Sequence, residues 1–346
     1  MSERTYVAMD VHLNSIVAVW KRKGGKEGKL VVEPDEKGLE SLVKAVGDGE
    51  VWGAYEASSC GWEVYDELTK RGWKVSVLAP THIAKSVKGR KRKTDLEDAR
   101  RILEVLMAHG ELGARLPAVW VPGRKVREDR ELVRRRLSVA EKLAEVKTEI
   151  RSLLRMQQVK APEGLKETWT LKHRAWLRGL CKEGSQEKGS VREALSSQVR
   201  ELEFLSEEVE RLQEEVEGLA KEEEYRGPVG KMTEVTGVAE LTAMTFYLEL
   251  GDPKRFKNRQ QVGSYLGLVP TSHESGEAED RKGHISRMGP PRIRKVLNQA
   301  ALARIRCDEE FRGRYRPLAE RRGTKKAIVA MMRKLGIELW RRACSA

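Results

Sequence analysis

Four acidic side chains sit in contexts that suit metal-assisted chemistry on a phosphodiester. They are Asp10 in "AMDVH", Glu56 in "YEAS", and Asp95 and Asp98 in "KTDLEDAR". Asp95 and Asp98 are three residues apart, so on a helix they share one face. Brought together with Asp10 and Glu56, they would supply the hard oxygen ligands that Mg²⁺ takes. Two such ions, about 4 Å apart, clamp the attacking and leaving oxygens of an in-line displacement. Each residue alone has a plainer reading: Asp10 as a turn former, Asp95 as a helix cap after Thr94, Glu56 as a solvated carboxylate. The adjoining "KGRKRK", with Lys88, Arg90, Lys91, Arg92 and Lys93, reads as a surface for phosphates. Acids that hold metal need bases around them if a polyanion is to approach.

The elements that must position these residues are legible in order. "TYVAMDVH" and "SIVAVWKR" alternate and are rich in β-formers, with a short turn at Leu13 and Asn14. "KLVVEP" predicts a third strand, "DEKGLESLVKAV" a helix and "VWGAYEAS" a fourth strand. "GWEVYDELTKRG" predicts a helix closed by Gly72. "WKVSVLAP" predicts a fifth strand stopped by Pro80, and "TDLEDARRILEVLMAHG" a third helix. Three strands, helix, strand, helix, strand, helix is the order of an RNase H-like (RuvC-like) α/β sheet. That sheet sets its first and fourth strands side by side with the last helix crossing near them, so the four carboxylates should converge.

From about Arg124 the chain turns to long charged helices. Val139, Leu143, Val146, Ile150 and Leu153 step by 4-3-4-3. Val191, Leu195, Gln198, Leu202, Leu205, Val209, Leu212, Val216 and Leu219 keep an unbroken heptad register with one polar entry. The two runs could fold back as an antiparallel hairpin or pair with another subunit. A sustained seam with charged flanks favours assembly into a dimer or tetramer. "RGPVG" should break this coil. Beyond it, "MTEVTGVAELTAMTFYLELGDPKRF" predicts helix, glycine turn, helix. "TSHESGEAEDRKGHISRMG" predicts a loop or short hairpin, and "PPRIRKVLNQAALARIR" a helix with proline in its first turn. The expected domains are therefore 1–123, catalytic; 124–226, a central α-helical coiled coil; and 227–346, mostly α-helical.

The bulk properties set bounds. With 346 residues, 39% hydrophobic, two or three domains with real cores are expected. A net charge of +14 favours a polyanionic partner through counterion release. No run of about 18 apolar residues predicts a membrane span, and the N-terminus does not read as a signal peptide. Cys60, Cys181, Cys307 and Cys344 form no CxxC pair, which points to the reducing cytosol rather than a zinc ribbon or disulfide framework. Scarce Asn with abundant Glu, Lys and Arg fits a thermophile. No GxxxxGK[ST] loop is present, so nucleotide-driven chemistry is not expected.

"YVAMDVH", "YEAS" and "KTDLEDAR" resemble the DEDD, RuvC-like domain of the prokaryotic transposases of the insertion sequence 110 family. "GVAELTA", "RFKNRQQVGSYLGLVP" and "SGEAEDRKGHISRMGPPRIRKVL" resemble that family's C-terminal transposase domain. The resemblance covers residues about 1–160 and 228–310, with a coil between as the family has. It implies a serine nucleophile at Ser275, in "SG". Unaided, the sequence gives only a loop serine beside a glycine, with Ser272 and Ser286 as rivals. A serine hydroxyl can attack a phosphodiester and keep its energy in a phosphoserine bond. Arg281, Lys282 and Arg287 would meet phosphates. The resemblance also implies Mg²⁺, two per site with Mn²⁺ as a substitute, and donor and target DNA as substrates. It further implies a structured non-coding guide RNA held by backbone and shape. Two other classes compete: a junction nuclease in which water attacks, and a nucleic-acid-binding protein without catalysis. A covalent protein–DNA adduct separates the first reading from both.

Overall fold

The computed structural model describes residues 4–82, 94–166, 169–182, 189–273 and 281–346. The chain divides into two compact units, Met1–Val121 and Pro122–Ala346. The first holds β1 (Thr5–Val11), β2 (Ile16–Arg22), β3 (Gly28–Val32), α1 (Glu36–Val46), β4 (Val51–Glu56), α2 (Glu63–Lys70), β5 (Lys74–Leu78) and α3 (Asp95–Leu112). The sheet order is β3-β2-β1-β4-β5. β1 runs antiparallel to β2 and parallel to β4, and β4 runs parallel to β5. This is the RNase H-like arrangement that the element order predicts.

The period of two along β1 sorts its side chains between two cores. Val7, Met9 and Val11 pack with Leu39, Leu42 and Val46 of α1 and Val64 and Leu68 of α2. Tyr6 and Ala8 face the other way, onto Ala99, Ile102, Leu103 and Leu106 of α3. The helix lies close: a Cβ on Gly110 would come within 2.5 Å of the Tyr6 ring. Burial of Ile102 and Leu106 contributes about 1.5–3 kcal/mol each. Thr94 caps α3, its hydroxyl accepting from the Glu97 amide at 3.3 Å. Asp95 is thus the first helical residue and not the cap.

The second unit is built on helices. They are α4 (Arg124–Met156), α5 (Leu171–Leu180), α6 (Gly189–Ala220), α7 (Glu223–Thr233), α8 (Glu240–Leu250) and α9 (Arg259–Tyr265). A hairpin of β6 (Pro270–His273) and β7 (Arg281–Ile285) precedes α10 (Pro291–Cys307), α11 (Glu309–Arg322) and α12 (Thr324–Cys344). The two heptad runs meet within one chain. Ile150 and Leu154 share a core with Leu195 and Val199, while Val133 and Leu137 share one with Val216 and Leu219. That pairing makes α4 and α6 an antiparallel hairpin. Val199 rather than Gln198 is the buried residue at the polar step.

The long helices do not end at "RGPVG". The break falls at Lys221 and Glu222, and Pro228 lies inside α7. Proline gives up one helical bond there, but Tyr225, Val229 and Met232 of α7 enter the main core of this unit, and that burial outweighs it. At the root of the hairpin Arg134 grips Glu249 of α8 with two bonds, 2.7 and 3.0 Å. Arg130 donates to the Leu248 carbonyl at 3.0 and 2.6 Å. Among the described residues no helix is long and apolar enough to cross a membrane.

Candidate active site

Strand parity carries Asp10 to the α3 side of the sheet, after Tyr6 and Ala8. In the parallel β1–β4 ladder Met9 stands opposite Tyr55, so Asp10 and Glu56 come next at adjoining strand ends. Glu56 follows Ala54, which also faces α3. On α3, Asp95 and Asp98 lie four residues before Ala99 and Ile102, which puts them at the start of the sheet-facing stripe. The stripe that is apolar over the sheet is therefore acidic where it passes the strand end.

His12, two residues beyond Asp10, joins the group. Its Nε2 is 3.2 Å from Asp10 Oδ2 and 3.7 Å from Asp95 Oδ1. One ligand atom from each of Asp10, His12 and Asp95 lies within 4.8 Å of the others. Glu56 and Asp98 stand outside that group. Asp98 pairs with Arg101 at 2.9 Å, yet its charge still reaches Asp10. Burial pushes the Asp10 carboxyl above its ordinary range, His12 pulls it back, and the negative charges of Asp95 and Asp98 push it up again. Three of the four expected carboxylates are thus electrostatically coupled, and the fourth ends the neighbouring strand. The site carries more negative charge than His12 balances, and two of its donors are carboxylate oxygens. That donor set fits a divalent cation.

Sequence reasoning assigned no role to His12. The available signal was its place at i+2 from Asp10, one residue past the end of β1. Of the basic residues expected to meet phosphates, Lys88, Arg90, Lys91, Arg92 and Lys93 lie outside the described residues, as does Ser275. Arg281 and Lys282 are on β7, opposite His273 and Ser272. The Ser286 hydroxyl is buried and has no hydrogen-bond partner among the described residues. Arg287 is exposed and has left-handed backbone, φ 53°. This turn is clasped tightly: a Cβ on Gly289 would fall 1.7 Å from the Tyr265 carbonyl oxygen, and Arg294 donates to the Gly289 carbonyl at 2.6 Å.

A second basic cluster lies on the α4–α6 hairpin, near the end of α4. Lys147 and Arg151 lie 5.6 and 5.1 Å from the centre of the Trp169 ring. Arg174 donates to the Trp169 carbonyl at 3.1 Å. Burial, then Arg174 and Arg151, hold the Lys147 ammonium below its usual range. Two cations over one indole, with a third on its backbone carbonyl, concentrate positive charge where an anion could be met.

An RNase H-like sheet with an acidic cluster at the ends of β1 and α3 defines a class of phosphodiester-processing proteins, and comparison with known proteins places the chain within it. Residues 7–157 match the model of the DEDD transposase domain of IS110 elements, and residues 230–316 match the transposase domain of the IS116/IS110/IS902 family. The chain belongs to that family of transposases. It is 28% identical to a protein of Sinorhizobium fredii named as transposase y4qE, over 86% of this chain and 70% of that one. It is 24% identical to the transposase for insertion sequence element IS1533 of Leptospira borgpetersenii, over 98% and 95%. It is 32% identical to the transposase for IS1111A of Coxiella burnetii, over 32% and 31%. DNA transposition is accordingly the activity of its class, and divalent metal use goes with the DEDD domain.

Proposed function

We propose that this chain excises and inserts a mobile DNA element by strand transfer through a serine, with Asp10, Glu56, Asp95 and Asp98 holding divalent metal. The observation that carries the reading is the convergence of Asp10 and Asp95 with His12 at one sheet end, under the charge of Asp98. Mg²⁺, two ions per site, is the proposed cofactor, and when bound it would supply positive charge to the phosphate oxygens. The carboxylates' own task is to fix the donors before substrate arrives. Their strand and helix positions do this, since both elements are anchored by buried cores.

Ser275 is the proposed nucleophile. Its hydroxyl oxygen attacks phosphorus, its proton leaves, and the bridging oxygen departs with one strand end as a hydroxyl. One phosphodiester is exchanged for one phosphoserine ester. A hydroxyl of the receiving strand then attacks that ester and returns the serine, so no energy source is needed. Residues 1–123 would serve as the metal domain, 124–226 as the coiled-coil assembly and RNA-contact element, and 227–346 as the serine domain. Lys88, Arg90, Lys91, Arg92, Lys93, Arg281, Lys282 and Arg287 would position backbone phosphates.

A structured non-coding RNA is the proposed guide to donor and target DNA. The Lys147, Arg151 and Arg174 cluster at Trp169 supports contact with its backbone. Action in the cytoplasm at the nucleoid, as a dimer or tetramer, completes the reading.

The test combines purified chain, Mg²⁺, the flanking non-coding RNA and labelled donor DNA carrying the element junction. On a denaturing gel, wild type should give a covalent protein–DNA adduct and Ser275→Ala should give none. Cleavage without adduct in either protein would replace the serine by water and make the chain a metal nuclease.

A further inference from the structure

The acidic site contains a donor that the four-carboxylate reading leaves idle. His12 Nε2 lies 3.2 Å from an Asp10 oxygen and 3.7 Å from an Asp95 oxygen. Ligands at about 2.1 Å from one ion in an octahedral shell are about 3.0 Å apart when adjacent and about 4.2 Å apart when opposite. Both His12 distances fall in that interval, and all three donor atoms lie within 4.8 Å of one another. The strand supplies the reason. β1 ends at Val11, His12 follows it directly and turns back to Asp10, and Asp95 opens α3 within reach of both. His12 is half-exposed, so no packing demand accounts for an imidazole at this position.

We propose that His12 is itself a ligand, through Nε2, to the divalent ion held by Asp10 and Asp95, and that it tilts the site from Mg²⁺ toward first-row transition ions such as Mn²⁺. The proposal rests on the reading of Asp10 and Asp95 as metal-holding residues and adds a nitrogen to their oxygens. Mg²⁺ seeks hard oxygen and keeps its waters. Imidazole favours first-row transition ions. With His12 bound, one water is displaced from the ion and a neutral donor replaces it, so the net charge at the site is set by the carboxylates alone. The competing role for His12 is a cationic partner that only neutralises Asp10 and Asp95. The two roles predict opposite effects of removing the ring. A ligand's loss weakens Mn²⁺ binding selectively. Loss of a competing cation strengthens binding of every divalent ion.

The experiment uses the full chain without nucleic acid. Mn²⁺ and Mg²⁺ affinities are measured by calorimetry for wild type, His12→Asn, His12→Ala and Asp10→Asn. Pulsed electron paramagnetic resonance of bound Mn²⁺ is recorded in parallel. Wild type should show nitrogen coupling from a histidine, shifted when histidine is ¹⁵N-labelled and absent in both His12 variants. Removing even an outer partner of a metal ligand typically costs about 10–100-fold in affinity. His12→Ala should therefore lose about tenfold or more for Mn²⁺ and markedly less for Mg²⁺. Wild-type Mn²⁺ bound without nitrogen coupling would overturn the proposal, even if the variants did not fold. So would His12 variants that bind both ions as well as or better than wild type. If Asp10→Asn binds both ions like wild type, the underlying metal site is wrong. If Asp10→Asn loses both while wild type shows no nitrogen coupling, only the role of His12 is wrong.

Discussion

Replacing Asp10 by Asn should stabilise the metal-free protein while abolishing strand cleavage. An acid that the fold holds against other acids costs stability until a cation arrives. The ligand oxygens of Asp10 and Asp95 lie within 4.8 Å. Two unit charges at that distance repel by roughly 0.9 kcal/mol in bulk water and roughly 3.5 kcal/mol at an effective dielectric of 20. The Asp95 side chain is 56% exposed and His12 sits between the two, so the low end applies, about 1 kcal/mol. The pH dependence has a definite sign. Burial raises the folded Asp10 carboxyl above its ordinary value of 3.8, which the unfolded chain keeps. Ionised Asp10 therefore penalises folding above its folded pKa, and the penalty fades as pH falls through the window just above 3.8. At pH 7 in EDTA, the slowest-exchanging amides of β1 and β2 should exchange about fivefold more slowly in Asp10→Asn than in wild type. Below pH 3.8 the two should agree. Adding a divalent ion to 100 times its dissociation constant should protect wild type by about 2.7 kcal/mol and leave the variant unmoved, reversing their order. Faster exchange in Asp10→Asn than in wild type without metal would refute the account of an electrostatically crowded site. Equal protection of both proteins by the ion would remove Asp10 from the metal shell.

Two further outcomes test the second unit. Glu249→Gln should cost about 3 kcal/mol, since it strips the charge partner from Arg134 at a side chain only 5% exposed; amide exchange in α8 measures it, and a loss below 1 kcal/mol would mean water already screens the pair. Lys147→Gln combined with Arg151→Gln should lower the salt dependence of RNA binding by about 0.7 in slope for each lost phosphate contact; anisotropy titrations at several salt concentrations read this, and an unchanged slope would take the Trp169 cluster out of the RNA surface.

What the sequence discloses depends on whether a residue's meaning is local. The five strands were legible because "TYVAMDVH" and "SIVAVWKR" alternate and because Gly72 and Pro80 stop what precedes them. α3 was legible through its period, and with the sheet order in hand so was the meeting of Asp10 with Asp95. His12 was not, because its role needs the end of β1 and the start of a distant helix together. The heptad runs show the same limit from the other side. They announce that α4 and α6 must each cover a seam, but the repeat does not say whose seam. The structure answers by pairing Leu137 with the Val216 region and Ile150 with the Leu195 region of the same chain. "RGPVG" misled because proline and glycine report a local cost, whereas Tyr225 and Met232 add a larger tertiary gain. Ser275 is the extreme case: no neighbouring residue type marks it, so chemistry alone cannot raise it above Ser272 or Ser286. The acidic site is legible for the opposite reason. Crowding carboxylates is unfavourable, so a sequence that sets Asp10 near the end of a core strand and begins a core-facing stripe with Asp95 and Asp98 is keeping a cost that His12 offsets in part and a bound cation would relieve further.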